Sequence, residues 1–202
     1  MCTLASTLLA DPAGIARAAQ ILRGGGLVAF PTDTVYGVGC RAEDAKALER
    51  VFELKRRPPE KRVALLISDP EQATGLGYRF GERATKLAAT FWPGALTLVL
   101  PGTHETQGFR MPDHPVALAL LRAAGPLATS SANRSGEPET YDAADVLIAF
   151  AGDDLLDAVV DGGRVPGGVA SSVLDLSVDP PRLLREGPIV RAQLESAIGP
   201  VD

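Results

Sequence analysis

Short apolar runs alternate along this chain with segments in which apolar residues recur at helical spacing, and this alternation limits the fold more than any other feature. Residues 26–31, GLVAFP, end in a proline and predict a buried strand. A helical pattern lies on either side, over residues 11–24 and from Glu43 to the prolines at 58 and 59. Such alternation is typical of layered α/β domains.

The remaining pattern predicts one α/β domain over residues 1–202 with a mixed sheet. Further strands are expected at 62–68, 95–101, 126–130, 157–161, 172–176 and 182–185, and further helices at 82–90, 115–124 and 142–150. The last strands follow one another closely, so antiparallel portions are expected beside parallel ones. No repeat, long linker or shift in composition divides the chain, whose length suits one domain.

Several classes of protein are disfavoured by the composition. Cys2 and Cys40 are too few for a disulfide framework, which favours a reducing compartment. The first residues contain an apolar run without a basic flank, unlike a signal peptide. No run of about 18 apolar residues occurs, so a membrane span is not expected. The sequence therefore predicts a soluble, cytoplasmic globular protein.

The common signatures of nucleotide, metal and hydrolase sites are absent. The chain has no GxxxxGK[ST] phosphate loop, no HExxH or CxxC metal motif, and no GxSxG turn before a helix. His104 and His114 are its only histidines, so a zinc site or a Ser-His-Asp triad is not expected. If the protein is an enzyme, its site is of another kind.

Residues 50–62, RVFELKRRPPEKR, form a basic segment in an acidic protein. Six basic residues against two glutamates give this segment a charge of +4, which leaves −9 for the rest of a chain whose formal net charge is −5. Cations at a helix C-terminus are favoured by the helix dipole, so a solvated helix end would explain them. Several clustered cations also repel one another, and a phosphate-bearing ligand would offset that cost. Both interpretations stay open at this point.

Other polar stretches follow or interrupt the apolar runs, where loops at strand ends would gather. They are rich in hydroxyls, glycines and single arginines, which suit an anion site built from backbone N–H groups and small side chains. Each stretch alone is equally well explained as an ordinary turn or a surface loop. They are PTDTVYGVG at 31–39, GFRMPDHP at 108–115, TSSANRSGE at 129–137, ASSVLDL at 170–176 and LLREG at 183–187.

Taken together and in this order, these stretches resemble the YrdC/Sua5 family, the threonylcarbamoyl-AMP synthases. ELKRRPPEK at 53–61 and FWPGALTLVLP at 91–101 add to the resemblance, which spans residues 26–187 and is closest to the short, single-domain bacterial form. The chain departs from the family pattern at three positions. Arg62 and Glu186 each stand where proline is common, and Ser172 replaces a threonine while keeping the hydroxyl.

The resemblance implies a fold and an activity. The expected fold is a twisted mixed sheet with flanking helices and a concave basic cavity. The expected activity is that of a nucleotidyltransferase, which condenses L-threonine, bicarbonate and ATP into threonylcarbamoyl-AMP and pyrophosphate, with Mg²⁺ accompanying the ATP. The product would pass to a downstream threonylcarbamoyl transferase complex that modifies adenosine 37 of tRNA, and a direct contact with tRNA is a further expectation.

The resemblance also assigns site residues, position by position. Thr34, Arg110 and Ser171 would hold the threonine, and no protein ligand for a metal is identified. The nucleotide and its phosphates would be held by Lys55, Arg57, Lys61, Ser131, Asn133 and Arg185, with Lys55 and Arg57 as the catalytic cations. Displacement at a phosphorus atom needs positioning and positive charge more than a protein nucleophile, and these residue types supply both.

Two alternatives remain open at this stage. The first is an RNA-binding module with the same fold, although a charge of −9 outside the basic segment disfavours an extended RNA footprint. The second is a related protein that uses the same fold for another carbamoyl-adenylate.

Overall fold

The computed structural model describes residues 5–58 and 62–202. The strands within these ranges are β1 (Ser6–Leu9), β2 (Val28–Pro31), β3 (Tyr36–Arg41), β4 (Ala64–Leu66), β5 (Leu96–Pro101), β6 (Thr106–Arg110), β7 (Leu127–Ser131), β8 (Ala158–Asp161), β9 (Ser172–Asp175) and β10 (Arg182–Arg185). The helices are α1 (Pro12–Arg23), α2 (Ala45–Lys55), α3 (Glu71–Gly75), α4 (Glu82–Phe91), α5 (Pro115–Ala124), α6 (Ala143–Ala149) and α7 (Arg191–Ile198). None of these helices combines the length and the apolar character needed to cross a bilayer.

All these strands belong to one mixed sheet, in the order β1-β8-β2-β3-β7-β4-β6-β5-β9-β10. The pairs β1/β8, β2/β8, β4/β6 and β5/β9 are parallel, and the other neighbours are antiparallel. The prediction of an α/β domain with a mixed sheet is therefore confirmed.

Helices cover both faces of the sheet, as the buried residues around β2 show. Leu27 and Ala29 pack into one apolar cluster, while Val28 and Phe30 pack into another, because successive side chains of a strand point to opposite faces. The larger cluster contains residues of α2, α4, α6 and α7. The smaller one contains residues of α1 and α5. Burial on both faces explains why residues 26–31 are apolar throughout.

The smaller cluster covers only part of its face, and this positions the candidate site. Its strand residues come from β2, β4, β7 and β8, so α1 and α5 do not extend over β5, β6 and β9. On those strands the residues that alternate with the core face a cavity. Leu98 is buried in the larger cluster, for example, whereas Thr97 and Val99 line the cavity.

Local sequence signals explain where α1 and α2 begin. Asp11 caps α1 by accepting a hydrogen bond from the Gly14 N–H at 2.7 Å, with a proline at the first helical position. Asp44 caps α2 in the same way through the Ala47 N–H at 3.0 Å. The end of α2 differs from the prediction. It stops at Lys55, because Arg56 adopts the left-handed conformation (φ 50°) before the prolines are reached.

Several elements were not predicted. PTDTVYGVG was interpreted as a loop after a strand, but its second half is β3, and GFRMPDHP begins inside β6. Both strands have one face towards the cavity, where polar residues and glycines replace the apolar alternation of a half-buried strand. β1, α3 and α7 were also missed, and the strand expected at 62–68 extends only over Ala64–Leu66.

Candidate active site

A cavity of about 560 Å³ occupies the part of the sheet face that α1 and α5 leave open. Small residues on adjacent strands make room for it. A Cβ atom at Gly37 would lie 2.8 Å from the Cγ2 atom of Thr129, and one at Gly108 would lie 3.2 Å from that of Thr97. Glycine at these two positions therefore keeps the floor of the cavity flat. The glycine-rich pattern of 31–39 thus serves the packing of neighbouring strands as well as the approach of a ligand.

Positive charge dominates the wall of the cavity. Four arginines line it, together with two carboxylates, Glu139 and Asp175. The four arginines are Arg57, Arg62, Arg110 and Arg185, and they come from separate parts of the chain. Of these, Arg57 lies at the end of α2. An otherwise acidic protein therefore presents cations to one concave surface, which is suited to an anionic ligand.

Thr34 and Arg110 form one corner of the cavity. The Arg110 guanidinium donates from Nη1 to the Thr34 hydroxyl at 3.4 Å and from Nε to the Gly94 carbonyl at 3.0 Å. Its Nη2 atom pairs with the Asp33 carboxylate at 2.5 Å. The Thr34 hydroxyl also lies 3.1 Å from that of Thr32. Two of the residues predicted to hold threonine therefore contact each other directly.

Ser171, the third residue predicted to hold threonine, contacts Arg185, which was predicted to hold the nucleotide. Arg185 donates from Nε to the Ser171 carbonyl at 2.9 Å and from Nη2 to its hydroxyl at 3.3 Å. The Ser171 hydroxyl lies 2.9 Å from that of Thr97 on β5. The two predicted subsites thus share a wall.

The neighbouring Ser172 fixes the chain that carries Arg185. Its hydroxyl donates to the Ile189 carbonyl at 2.6 Å and accepts from the backbone N–H groups of Gly187 and Ile189. A Cβ atom at Gly187 would lie 2.3 Å from the Ala170 carbonyl, so only glycine permits this close approach. These three bonds need only a hydroxyl, which explains why serine can replace threonine here.

Lys55 lies in the interior rather than on the cavity wall. Its side chain is 2% exposed, and its ammonium donates to the backbone carbonyls of Ser131 and Asn133. Burial, with a smaller repulsion from Arg57, lowers the pKa of Lys55 to about 8. The Lys55 carbonyl also accepts from the Ser135 N–H at 2.9 Å. Two of the three N–H groups of the ammonium therefore hold the end of β7 and the turn that follows it. The direct phosphate contact expected of Lys55 stays a prediction.

Asn133 has a similar position. It is 6% exposed, and its Nδ2 atom donates to the carbonyls of Arg134 and Glu137, at 3.2 and 2.7 Å. These bonds close the turn after β7. Ser131, the last residue of that strand, lines the cavity, whereas Asn133 is not among the lining residues. The stretch 129–137 is thus the end of β7 followed by a hydrogen-bonded turn, of which residues 135–137 are exposed.

Arg57 is the residue of the basic segment that reaches the cavity from the end of α2. Its Nη2 atom donates to the Arg62 carbonyl at 2.9 Å, so residues 57 and 62 lie side by side. Arg62 also lines the cavity and donates to the Thr106 hydroxyl at 3.1 Å. Lys61, predicted to bind ATP, lies outside the described residues.

The structure therefore brings together six of the nine predicted site residues on one surface: Thr34, Arg57, Arg110, Ser131, Ser171 and Arg185. Two residues without an assigned role contact members of this set. Thr97 lines the cavity beside Ser171, and Asp33 pairs with Arg110 without lining the cavity. Asp33 supplies the one carboxylate of the stretch 31–39, but the sequence assigned it no role. No sequence pattern marked Thr97 as a site residue, because it is a polar residue within the apolar run 95–101.

Comparisons with known proteins agree with this architecture. The model of the Sua5_yciO_yrdC family, which carries the description "Telomere recombination", matches residues 20–187. The chain is 38% identical to P. abyssi Sua5, solved as a complex with L-threonine, with a TM-score of 0.90 over 99% of this chain and 63% of that one. It is 30% identical to E. coli YciO, with a TM-score of 0.77 over 93% of this chain and 97% of that one.

Curated relatives show the same similarity. A threonylcarbamoyl-AMP synthase of Bacillus subtilis is 43% identical over 93% of this chain, and one of Pyrococcus abyssi is 42% identical over 91% of it. This chain spans 57% of the length of each of these two. A putative threonylcarbamoyl-AMP synthase of Mycobacterium leprae is 39% identical over 93% of this chain and 89% of its own length. With a family model matched over most of its residues and a relative matched almost end to end, this chain belongs to the Sua5/YciO/YrdC family.

Proposed function

We propose that this protein is an L-threonylcarbamoyladenylate synthase, which joins L-threonine, bicarbonate and ATP and releases pyrophosphate. The observation that carries the proposal is the contact between Ser171 and Arg185. These residues are assigned to the amino acid and to the nucleotide, and their side chains lie 3.3 Å apart on one wall. Two ligands held by this wall would lie next to each other, as a reaction between them requires.

The chemistry follows from that adjacency. The amine of threonine and bicarbonate form a carbamate with loss of water, and a carbamate oxygen then attacks the α-phosphorus of ATP. The bond from that phosphorus to the bridging oxygen breaks, and pyrophosphate leaves with the electron pair. Negative charge develops around the phosphorus and the leaving group, where Arg57 and Arg185 would stabilise it.

The residues of the cavity are compatible with Mg²⁺ that enters with ATP. Among the described residues, no group of three or more His, Cys, Asp or Glu side chains is placed to hold a metal ion by itself. Mg²⁺ at nucleotide sites commonly uses one or two carboxylates together with the phosphates, and Glu139 and Asp175 line the cavity. When bound, the ion would neutralise charge on the phosphate oxygens.

Two observations support L-threonine as the substrate. The Thr34 hydroxyl lies beside Arg110 in the cavity, and P. abyssi Sua5 was solved as a complex with L-threonine. We infer that the product passes to a transferase acting on adenosine 37 of tRNA, because the curated relatives are named threonylcarbamoyl-AMP synthases. A buried partner for the substrate hydroxyl would be left unpaired by an analogue without one. The protein should therefore use threonine well and 2-aminobutyrate poorly.

The test is an assay with ATP, Mg²⁺ and bicarbonate, in which pyrophosphate and the adenylate product are measured with each amino acid and with each substrate omitted. We expect release only when all substrates are present and a much lower kcat/KM for 2-aminobutyrate. Equal turnover of the two amino acids would contradict the assignment of Thr34 and Arg110 to the threonine substrate. RNA binding with steep salt dependence and no ATP turnover would favour the RNA-binding alternative instead.

A further inference from the structure

The orientation of the Arg110 guanidinium is fixed by the protein from three sides. Nε donates to the Gly94 carbonyl, Nη1 to the Thr34 hydroxyl, and Nη2 to the Asp33 carboxylate. The Arg110–Asp33 pair is the shortest of the three contacts at 2.5 Å, and its side chains are 10% and 15% exposed. These contacts with described residues use three of the five N–H groups, which leaves two for a ligand.

Asp33 and Arg110 have different relations to the cavity. Arg110 lines it, whereas Asp33 is not among the lining residues. The carboxylate therefore pairs with the guanidinium without occupying the wall that a ligand would contact. Arg110 shares that wall with three further arginines, and a buried guanidinium without a partner would be costly. Asp33 both offsets this charge and restricts the rotation of the guanidinium.

We propose that Asp33 is a positioning residue that determines affinity for the amino-acid substrate. It holds Arg110 so that the two remaining N–H groups bind the α-carboxylate of the amino acid. This inference rests on the proposed function and extends it to a residue that does not itself contact the substrate. A guanidinium whose two parallel N–H donors are held in place binds a carboxylate better than a freely rotating guanidinium, because it loses less conformational freedom on binding.

The proposal predicts the direction in which the KM for threonine changes when Asp33 is replaced. Asp33→Asn keeps the size of the side chain and one oxygen acceptor but removes the charge. If Asp33 acted only as a negative charge, its removal would strengthen attraction for a carboxylate and lower the KM for threonine. If it positions Arg110, the KM for threonine should rise about ten- to hundredfold, as expected for loss of an ordered charge-assisted bond. The KM for ATP and kcat should change less than threefold.

Asp113→Asn is the control. Asp113 lies near His114, as Asp33 does, but its side chain is exposed and makes no ion pair with Arg110. Asp33→Glu is a second variant that keeps the charge but displaces the carboxylate by one methylene, and it should also raise the KM for threonine. Calorimetric titration of each folded variant with L-threonine alone gives a readout independent of turnover. It should show weaker binding for both Asp33 variants and unchanged binding for Asp113→Asn.

The outcomes separate this inference from the proposed function. A wild-type protein without threonine-dependent pyrophosphate release would overturn the proposed function. An active wild type whose Asp33→Asn variant has an unchanged or lower KM for threonine would overturn the positioning role alone. Equal increases in the KM for threonine and for ATP would also overturn it, since they would indicate general damage to the cavity.

Discussion

At the scale of single residues, Lys55 shows that a sequence motif can single out a residue without indicating its contacts. The sequence places a lysine among clustered cations, and the natural inference is a direct phosphate contact. In the structure its ammonium is buried and donates to the carbonyls of Ser131 and Asn133. Its partners lie more than seventy positions away along the chain, so no local pattern could have indicated them. The residue was predictable from the sequence, and its contacts were not.

The substitution Lys55→Met should therefore reduce both stability and activity. It leaves two buried carbonyls without donors, which should lower the free energy of unfolding by about 1–3 kcal/mol. Pyrophosphate release should also fall steeply, because the chain that presents Ser131 loses its anchor. Urea unfolding monitored by circular dichroism gives the first quantity. A Lys55→Met protein as stable as the wild type would contradict this role.

Ser131 and Asn133 should respond differently to alanine. The resemblance assigns both residues to the nucleotide, but only Ser131 lines the cavity. Because Asn133 is buried and donates two hydrogen bonds, Asn133→Ala should lower the free energy of unfolding by about 1–2 kcal/mol. Ser131→Ala should weaken nucleotide binding with little loss of stability. Thermal unfolding and nucleotide calorimetry measure the two effects, and equal stabilities of the two variants would argue against this distinction.

At the scale of elements, two of the described strands that the sequence missed, β3 and β6, border the cavity. β3 and β6 carry glycines and polar residues on the face towards the cavity, so the alternation that identifies a strand is weakened where function requires it. By contrast, the buried strand β2 was recognised easily, because both of its faces pack against helices. The end of α2 was misplaced for a related reason: the left-handed residue that ends it is an arginine, and only glycine or asparagine would have signalled that position.

Replacing Arg56 with glycine should therefore stabilise the folded protein. A residue with a Cβ atom costs energy in the left-handed region, and glycine does not. Arg56→Gly should raise the free energy of unfolding by about 0.5–1 kcal/mol, measured by urea unfolding. Arg56→Ala keeps the Cβ atom and should give no such gain. If the glycine variant were no more stable than the alanine variant, the conformation of Arg56 would not be strained.

At the scale of the whole molecule, the cavity results from incomplete coverage of the sheet. α1 and α5 cover β2, β4, β7 and β8 on one face and leave β5, β6 and β9 open. The alternation of strands and helices predicted the layers, but which strands remain uncovered depends on strand order, and that order arises from contacts between distant segments. The basic segment is explained in part: Arg57 and Arg62 face the cavity, Lys55 holds the interior together, and Arg56 is exposed.

The most direct test of this account compares the adjacent arginines at 56 and 57. Arg57→Gln should lower kcat/KM for pyrophosphate release about ten- to hundredfold, the effect of losing one charge-assisted hydrogen bond to phosphate. Arg57→Lys should recover only part of the loss, because an ammonium cannot contact two phosphate oxygens as a guanidinium does. Arg56→Gln should stay within about twofold of the wild type, since a solvent-exposed cation off the cavity wall contributes little. Equal and mild losses in Arg56→Gln and Arg57→Gln would show that the basic segment is only a solvated surface, and that ATP phosphates bind elsewhere.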